Sequence, residues 1–341
     1  AVGGVTLTEA NDVTNLVGVV SGSGNTFQFT DINALTISGS ELDGFGPGVS
    51  TTGAGTITLD SGGLLTVNGL ISSGSGALTL TGGTGVTHGV NGDLTTGGAG
   101  TIDVTATFND ITMVDALTVY TAGGGTVTLL AKNNVALGQI ANSTGAVSVT
   151  ATTLSITDAT TAEGSTNENI QADIVTLTAG TGVGSNSAAG DIDTAATVLD
   201  VTTATIGIFI AETDAVQLGN ATGGVNTITS GNIDIDAGGA ITTGNTIAGA
   251  GTSINIDTSV GGITLSNAIT ANATGSVTIN AAGALALGAN DVTGAGVSLT
   301  GAGVTSLAGS TVTAASVLTA DILVDAQSNA INLAGDLTTD S

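Results

Sequence analysis

Short apolar doublets, two residues apart, recur along the chain between runs of Gly, Ala, Ser, Thr and Asn. In "GTSINIDTSVGGITLSNAITANATGSVTINAAGALALGANDVTGAGVSLTGAG", residues 251 to 303, they are Ile254 and Ile256, Val277 and Ile279, and Val297 and Leu299. Side chains on a strand alternate between faces, so a doublet sends two residues inward while Ser253, Asn255 and Asp257 point outward. With Ile233 and Ile235 before them and Ile322 and Val324 after, the steps are 21, 23, 20 and 25 residues. Two weaker stations follow each doublet: Ile241 and Ile247, Ile263 and Ile269, Leu285 and Val292, Val304 and Val312, Ile331 and Leu337. Each period therefore holds three short strands and three corners.

The same beat runs upstream through Ile57 and Leu59, Leu78 and Leu80, Ile102 and Val104, Val127 and Leu129, Val147 and Val149, and Val175 and Leu177, with Leu35 and Ile37 one period before Ile57. A fixed period of 20 to 25 residues, each repeat burying its apolar stripe only against its neighbours, predicts a solenoid. Three strands per period make it an all-β, triangular parallel β-helix, right-handed by the rule for parallel crossovers. At roughly 4.8 Å between stacked strands, about 15 coils would give a rod on the order of 70 Å. Residues 1–50 read as irregular first coils or a cap or docking segment, and 51–341 as the shaft, with an acidic loop excursion at 158–173.

Composition supports strands over helices. Of 341 residues 55 are Gly, one is Pro and none is Cys or Trp, and the apolar load is aliphatic; Gly and Thr are poor helix formers, while β-branched residues suit a pleated surface. A mean hydropathy of +0.47 argues against disorder. Charge changes the functional picture more. Lys132 is the sole basic residue against 27 acids, for a formal charge of −26. Nothing is available to neutralise phosphates, which excludes nucleic acid and disfavours anionic membrane surfaces. Absence of cysteine fits an extracytoplasmic bacterial protein. Since "INLAGDLTTDS" stops inside the pattern, the chain reads as part of a longer protein or as a subunit that self-associates end to end.

The strings "GSVTINAAGALALGANDVTGAGVSLTGAG" (275–303), "GGAITTGNTIAGAGTSINIDT" (238–258) and "GAGTITLDSGGLLTVNGLISSGSGALTL" (53–80) resemble the filamentous-haemagglutinin-like and autotransporter-passenger β-helices of Gram-negative cell surfaces, including very long repetitive adhesins. The resemblance covers 51–341 with interruptions. It implies shaft material, because the Asn-Pro motifs of that family's secretion domain are missing and Pro47 is the single proline.

Breaks in the pattern supply the candidate sites. Asp158, Glu163, Glu168 and Asp173 lie in the polar excursion "DATTAEGSTNENIQAD", which reads as a solvated loop or as a calcium or partner site, calcium requiring several converging oxygens. The calcium repeat GGxGxDxUx is absent: "GGAGTIDVT" places Asp103 one position late. Phe27, Phe29 and Phe45 mark an irregular first coil or a docking surface, and Phe209 in "IGIFIAE" is expected to point outward beneath an intrachain loop or a partner. His88 in "GVTHGV" reads as an exposed corner residue.

Catalysis has little to draw on, since Asp234 and Asp236 in "NIDID" share an outward face without a basic companion. The chain is expected to be no enzyme and to need no cofactor, calcium aside. A polysaccharide-acting β-helix is one alternative. An ice-binding solenoid is the other, suggested by Thr pairs such as Thr56 and Thr58 or Thr126 and Thr128, but the matching positions downstream become Asn232 and Asp234, then Ser253 and Asn255. The preferred expectation is a structural or adhesive rod, extracellular or on a bacterial cell surface. The receptor or glycan it would bind is not encoded in any motif.

Overall fold

The computed structural model describes residues 3–40, 48–114, 119–160, 168–187, 189–251, 253–315 and 321–339. Every strand pairing with a defined register is parallel, and the chain is an all-β parallel β-solenoid of about 13 coils. Contacts divide it into two compact units, 1–173 and 174–341.

In the first unit the long strands Phe27–Asp31, Ile57–Ser61, Leu78–Gly82, Ile102–Ala106 and Val127–Ala131 stack as one face. Ile57, Leu78, Ile102, Val127 and Val147 are successive register partners, as are Leu59, Leu80, Val104, Leu129 and Val149, and nearly all are fully buried. A second face runs through Leu35, Leu65, Val86, Ile111, Val135 and Ile156, and a third through Val49, Ile71, Leu94, Tyr120 and Ile140. Burying each aliphatic side chain in such a column contributes about 1.5–3 kcal/mol.

One detail differs from the sequence reading. The partners of Ile57 and Leu59 in the preceding coil are Phe27 and Phe29, whereas Leu35 and Ile37 belong to the second face and pair with Leu65 and Val67. The step from Phe27 to its partner Ile57 is 30 residues, longer than the ordinary period, so counting back one such period lands on the wrong face. Residues before 50 also join the stack: Val49 pairs with Ile71, and the first strand, Val5–Asn11, follows Phe27–Asp31 with a register shift between Leu7 and Asn11.

In the second unit the columns Ile208, Ile233, Ile254, Val277, Val297, Ile322 and Ile210, Ile235, Ile256, Ile279, Leu299, Val324 form the first face in unbroken register. The weaker stations fill the other two, Ile241–Ile263–Leu285–Val304–Ile331 and Ile247–Ile269–Val292–Val312–Leu337. Val304 and Val312 are buried, but Ile331 and Leu337, one coil later, are 49% and 52% exposed.

The second unit also contains a seam where corners are redrawn. Gly182–Val183 and Ile192–Thr194 are separate in sequence, yet both pair with the single strand Gly207–Glu212. Conversely, Val198–Leu199 and Val201–Thr203 lie on the continuous strand Ile192–Thr203, and their partners Gln217–Leu218 and Val225–Thr227 are on two strands. One corner is abolished and another opened within a coil.

Candidate functional site

The seam builds the most featured surface of the second unit. Where two strand segments merge into one, the segment between them, described at 184–187 and 189–191, lines a cleft together with Phe209. It closes on itself through Ser185 N–H to Gly190 O (2.6 Å), Ser187 N–H to Ser185 O (2.7 Å) and Gly190 N–H to Ser187 O (2.9 Å). Gly184 turns the chain into it at φ +66°, and a Cβ there would stand 2.4 Å from the Phe209 carbonyl oxygen. Phe209 is left 7% exposed. It stands on the outward file of its strand, in register with Asp234. Between loop and strands is a cleft of about 160 Å³ lined by Ser185, Ser187, Asp191, Phe209, Asp234 and Asp236.

Outward positions of the first face continue from this cleft as a carboxylate and amide row. Asp234 partners Asn255, which partners Thr278; Asp236 partners Asp257, which partners Asn280. The Asn255 amide bridges the two files, donating to Asp234 Oδ1 at 2.9 Å and to Asp257 Oδ2 at 2.7 Å. Asp236 has a raised pKa because its surroundings displace water and because Asp234, Asp257 and Asp191 repel its charge. Asp257 is raised too, chiefly by desolvation, with hydrogen bonds from Asn255 and Asn280 working against it.

Beside this row Glu212 turns inward and is 3% exposed. Its carboxyl takes hydrogen bonds from Thr194 Oγ1 (2.7 Å), Ala196 N–H (3.1 Å) and Asp214 N–H (3.3 Å). Burial outweighs these and pushes its pKa up to about 7. Glu212 sits at the end of a strand in a coil whose next member, Ala237, is apolar. No periodicity marks it as inward, and sequence reasoning missed it.

The polar excursion is only partly described. Glu163 lies outside the described residues. Asp158 Oδ1 accepts from Thr160 N–H (2.7 Å), Thr160 Oγ1 (2.7 Å) and the Asn169 amide (2.7 Å), and its Oδ2 is enclosed without a hydrogen-bond partner among the described residues. Glu168 is half-buried next to Asn169, and Asp173 points out from the strand Ile170–Ala179. Among the described residues no three His, Asp or Glu form a group arranged to hold a metal ion.

Of the aromatic candidates, Phe27 and Phe29 are 4% exposed members of the first-face columns, and Phe45 lies outside the described residues. The reading of His88 as an exposed corner residue is overturned. His88 ends the strand Gly85–His88 in register with Val67 and is 1% exposed. It faces inward because that strand continues one residue beyond the turn expected at "HGV".

Threonines do stack, but in single file. Thr36, Thr66, Thr87 and Thr112 are consecutive partners on the second face of the first unit, while on the first face Thr58 and Thr79 are followed by Asp103. A flat double row of Thr does not form along the described ladders. Comparison with protein-family models, with curated proteins and with solved structures gave no match, so the shared ground with surface β-helices is the solenoid fold itself.

Proposed function

We propose that this chain is a non-enzymatic structural or adhesive rod of a bacterial cell surface or extracellular filament. The observation that carries the reading is the register. Columns such as Ile233, Ile254, Val277, Val297 and Ile322 repeat one coil on the next without change of core, a construction that lengthens by addition of identical layers. Outward positions are filled mainly by Thr, Ser, Asn and Asp, which hydrate the surface and give like-charged copies side-by-side repulsion. One Lys and no Arg leave trypsin-like proteases almost no cleavage site.

End-to-end association of copies, or a place within a longer chain, belongs to the same proposal, because a parallel ladder extends by adding coils. The carboxylate row suits repulsion of neighbouring shafts better than catalysis, because no basic side chain accompanies it. Electron microscopy of the purified chain tests the proposal, with continuous fibres or uniform isolated rods expected. Incubation with neutral and acidic polysaccharides, read by new reducing ends, tests it from the other side: steady release of product would overturn the scaffold reading. Thermal hysteresis of ice growth would overturn it in favour of ice binding.

A further inference from the structure

The chain has a single His and a single Tyr, and they touch inside the core of the first unit. His88 occupies the second-face register of Val67, and Tyr120 the third-face register of Leu94 and Ile140, positions otherwise aliphatic. Tyr120 is fully buried and His88 is 1% exposed. The rings meet edge to face, with centroids 5.1 Å apart and planes at 61°. The Gly92 carbonyl, 2.7 Å from His88 Nδ1, can only accept, so the imidazole proton sits on Nδ1. Nε2 is then an acceptor, and Tyr120 O–H donates to it at 2.5 Å. Every polar atom of the pair is satisfied only while the imidazole is neutral.

Protonation breaks this arrangement. With a proton on Nε2 both ring nitrogens donate, and the Tyr120 hydroxyl must turn its own hydrogen toward apolar side chains. Among the described residues, the charged groups on the elements around the pair are Asp93, Asp110 and Asp103, the last on an outward position of the strand Ile102–Ala106 and accepting from Thr101 Oγ1 at 3.0 Å. Asp93 Oδ1 accepts the Val119 amide and Asp110 Oδ1 accepts from Asn134, so both are engaged at corners. None of the three contributes to the titration of His88, which burial lowers and the Gly92 hydrogen bond partly restores.

We propose that the His88–Tyr120 pair is an acid-operated latch in the first unit: neutral, it locks the strands Gly85–His88 and Val119–Thr121 of adjacent coils together, and protonated, it releases them locally. The direction follows from burial, which lowers the folded pKa from 6.5 to about 4. Between those values the unfolded or opened state binds a proton that the closed state does not. Closure is therefore complete above about pH 6.5 and is lost progressively as pH falls toward 4. A solenoid opens at such a point without unravelling distant coils, since each coil contacts only its neighbours.

The uniqueness of both residues makes the test direct. In the full chain, the one imidazole is followed by nitrogen NMR and the one phenol by ultraviolet absorbance from pH 7.5 to 3.5, while amide hydrogen exchange reports opening. The ring is expected to hold the Nδ1–H tautomer well below pH 6, and its protonation to coincide with loss of the hydrogen-bonded Tyr120 signal. Exchange within 85–121, corrected for intrinsic chemistry, is expected to speed by at least about tenfold in the same step. The doubly apolar variant carrying His88→Leu and Tyr120→Phe should fold and lack that step, since replacing both partners leaves no orphaned group. Titration of wild-type His88 near 6.5, or its protonation without faster exchange at 85–121, would overturn the latch; the wild-type measurement decides even where the variant does not fold.

Discussion

Asp236 and Asp257 are register partners on adjacent coils of the second unit, two carboxylates stacked on one outward file where a solenoid of mixed sequence would alternate them with neutral residues. Each has its pKa raised, and Asp236 also feels Asp234 and Asp191. An acid whose pKa is raised by folding weakens the folded state once it ionises, because the unfolded chain gives up its proton more readily.

Asp236→Asn is accordingly expected to stabilise the second unit at pH 7. Like charges directly opposite on neighbouring strands cost about 0.2–1 kcal/mol, and the gain should lie in that range. It should shrink as pH falls and the wild-type carboxyl takes up its proton, and shrink again in high salt. Denaturant melts of wild type and variant at two pH values and two salt concentrations read all three effects.

Glu212→Gln separates a buried acid from its hydrogen bonds. In the folded state Glu212 holds its proton up to about pH 7, against an ordinary 4.5. Across that window the folded chain binds a proton that the unfolded chain has lost, so its contribution falls as pH rises and is lowest above 7. The span corresponds to about 3 kcal/mol. Glutamine keeps an oxygen for the Ala196 and Asp214 amides and offers an N–H to Thr194 Oγ1. The variant should be the more stable protein at pH 8 and show a flatter dependence on pH between 4.5 and 7. Equal slopes for the two proteins would contradict the assignment.

How much of this was visible in the chain depends on what repeats. Doublets such as Ile254 and Ile256 announce themselves because every neighbouring coil carries the same pair at nearly the same spacing, and the structure stacks them as that spacing requires. Single events lack such an echo. Leu35 and Ile37 fit the beat as well as Phe27 and Phe29 do, and only the 30-residue step from Phe27 to Ile57 decides which pair sits beside Ile57 and Leu59. His88 and Glu212 are polar residues at inward positions whose side-chain partners, Tyr120 and Thr194, lie 32 and 18 residues away, which no local pattern reports. The seam at Gly207–Glu212 was legible only as a fault in alternation around Phe209; that one strand would serve two earlier segments was not.

Gly184→Ala tests the seam. Its φ of +66° and the 2.4 Å approach to the Phe209 carbonyl leave an added methyl no room on either count. A cost of about 1–3 kcal/mol is expected. Phe209 should become more accessible as the corner lifts, which near-ultraviolet circular dichroism of the Phe bands and limited proteolysis at 184–191 would detect. A fully stable variant with an unchanged Phe environment would show that the corner is not held as described.

Asn169 tests the polar corner of the first unit. It is fully buried, and its amide donates to Asp158 Oδ1 at 2.7 Å and reaches the carbonyls of Leu137 and Gly138 at 3.2 and 3.3 Å. Asn169→Ala removes a donor to the Asp158 carboxylate, which keeps its two Thr160 partners, and to the Leu137 and Gly138 carbonyls; a hydrogen bond to a charged group contributes about 1.5–3 kcal/mol, and a loss of that order is expected. Asn169→Asp should cost more at pH 7, because it sets a second carboxylate against Asp158, and should recover relative to the alanine variant as pH falls and one of the two is protonated. The same melts repeated with a chelator and with added calcium bear on Asp158 and Glu168: a calcium-induced rise in the aspartate variant larger than in wild type would reveal a cation drawn to the paired carboxylates.

Ile256→Ala asks whether the columns behave as stacked layers. Ile256 is fully buried between Ile235 and Ile279, so truncation removes contacts to both neighbouring coils and leaves a cavity that the closed backbone ladder cannot readily collapse around. Large-to-small substitutions of this kind cost about 2–5 kcal/mol. In a compact domain with one shared core, that loss spreads through the whole cooperative unit. In a solenoid, stability is a sum of coil and interface terms, so the loss should be local. Hydrogen exchange is expected to accelerate most in Asn232–Ala237, Ser253–Thr258 and Ser276–Ala281, with Val297–Gly301 affected less. Uniform acceleration across the second unit would mean that its coils fold as a single block and that the layer-by-layer account of this chain is wrong.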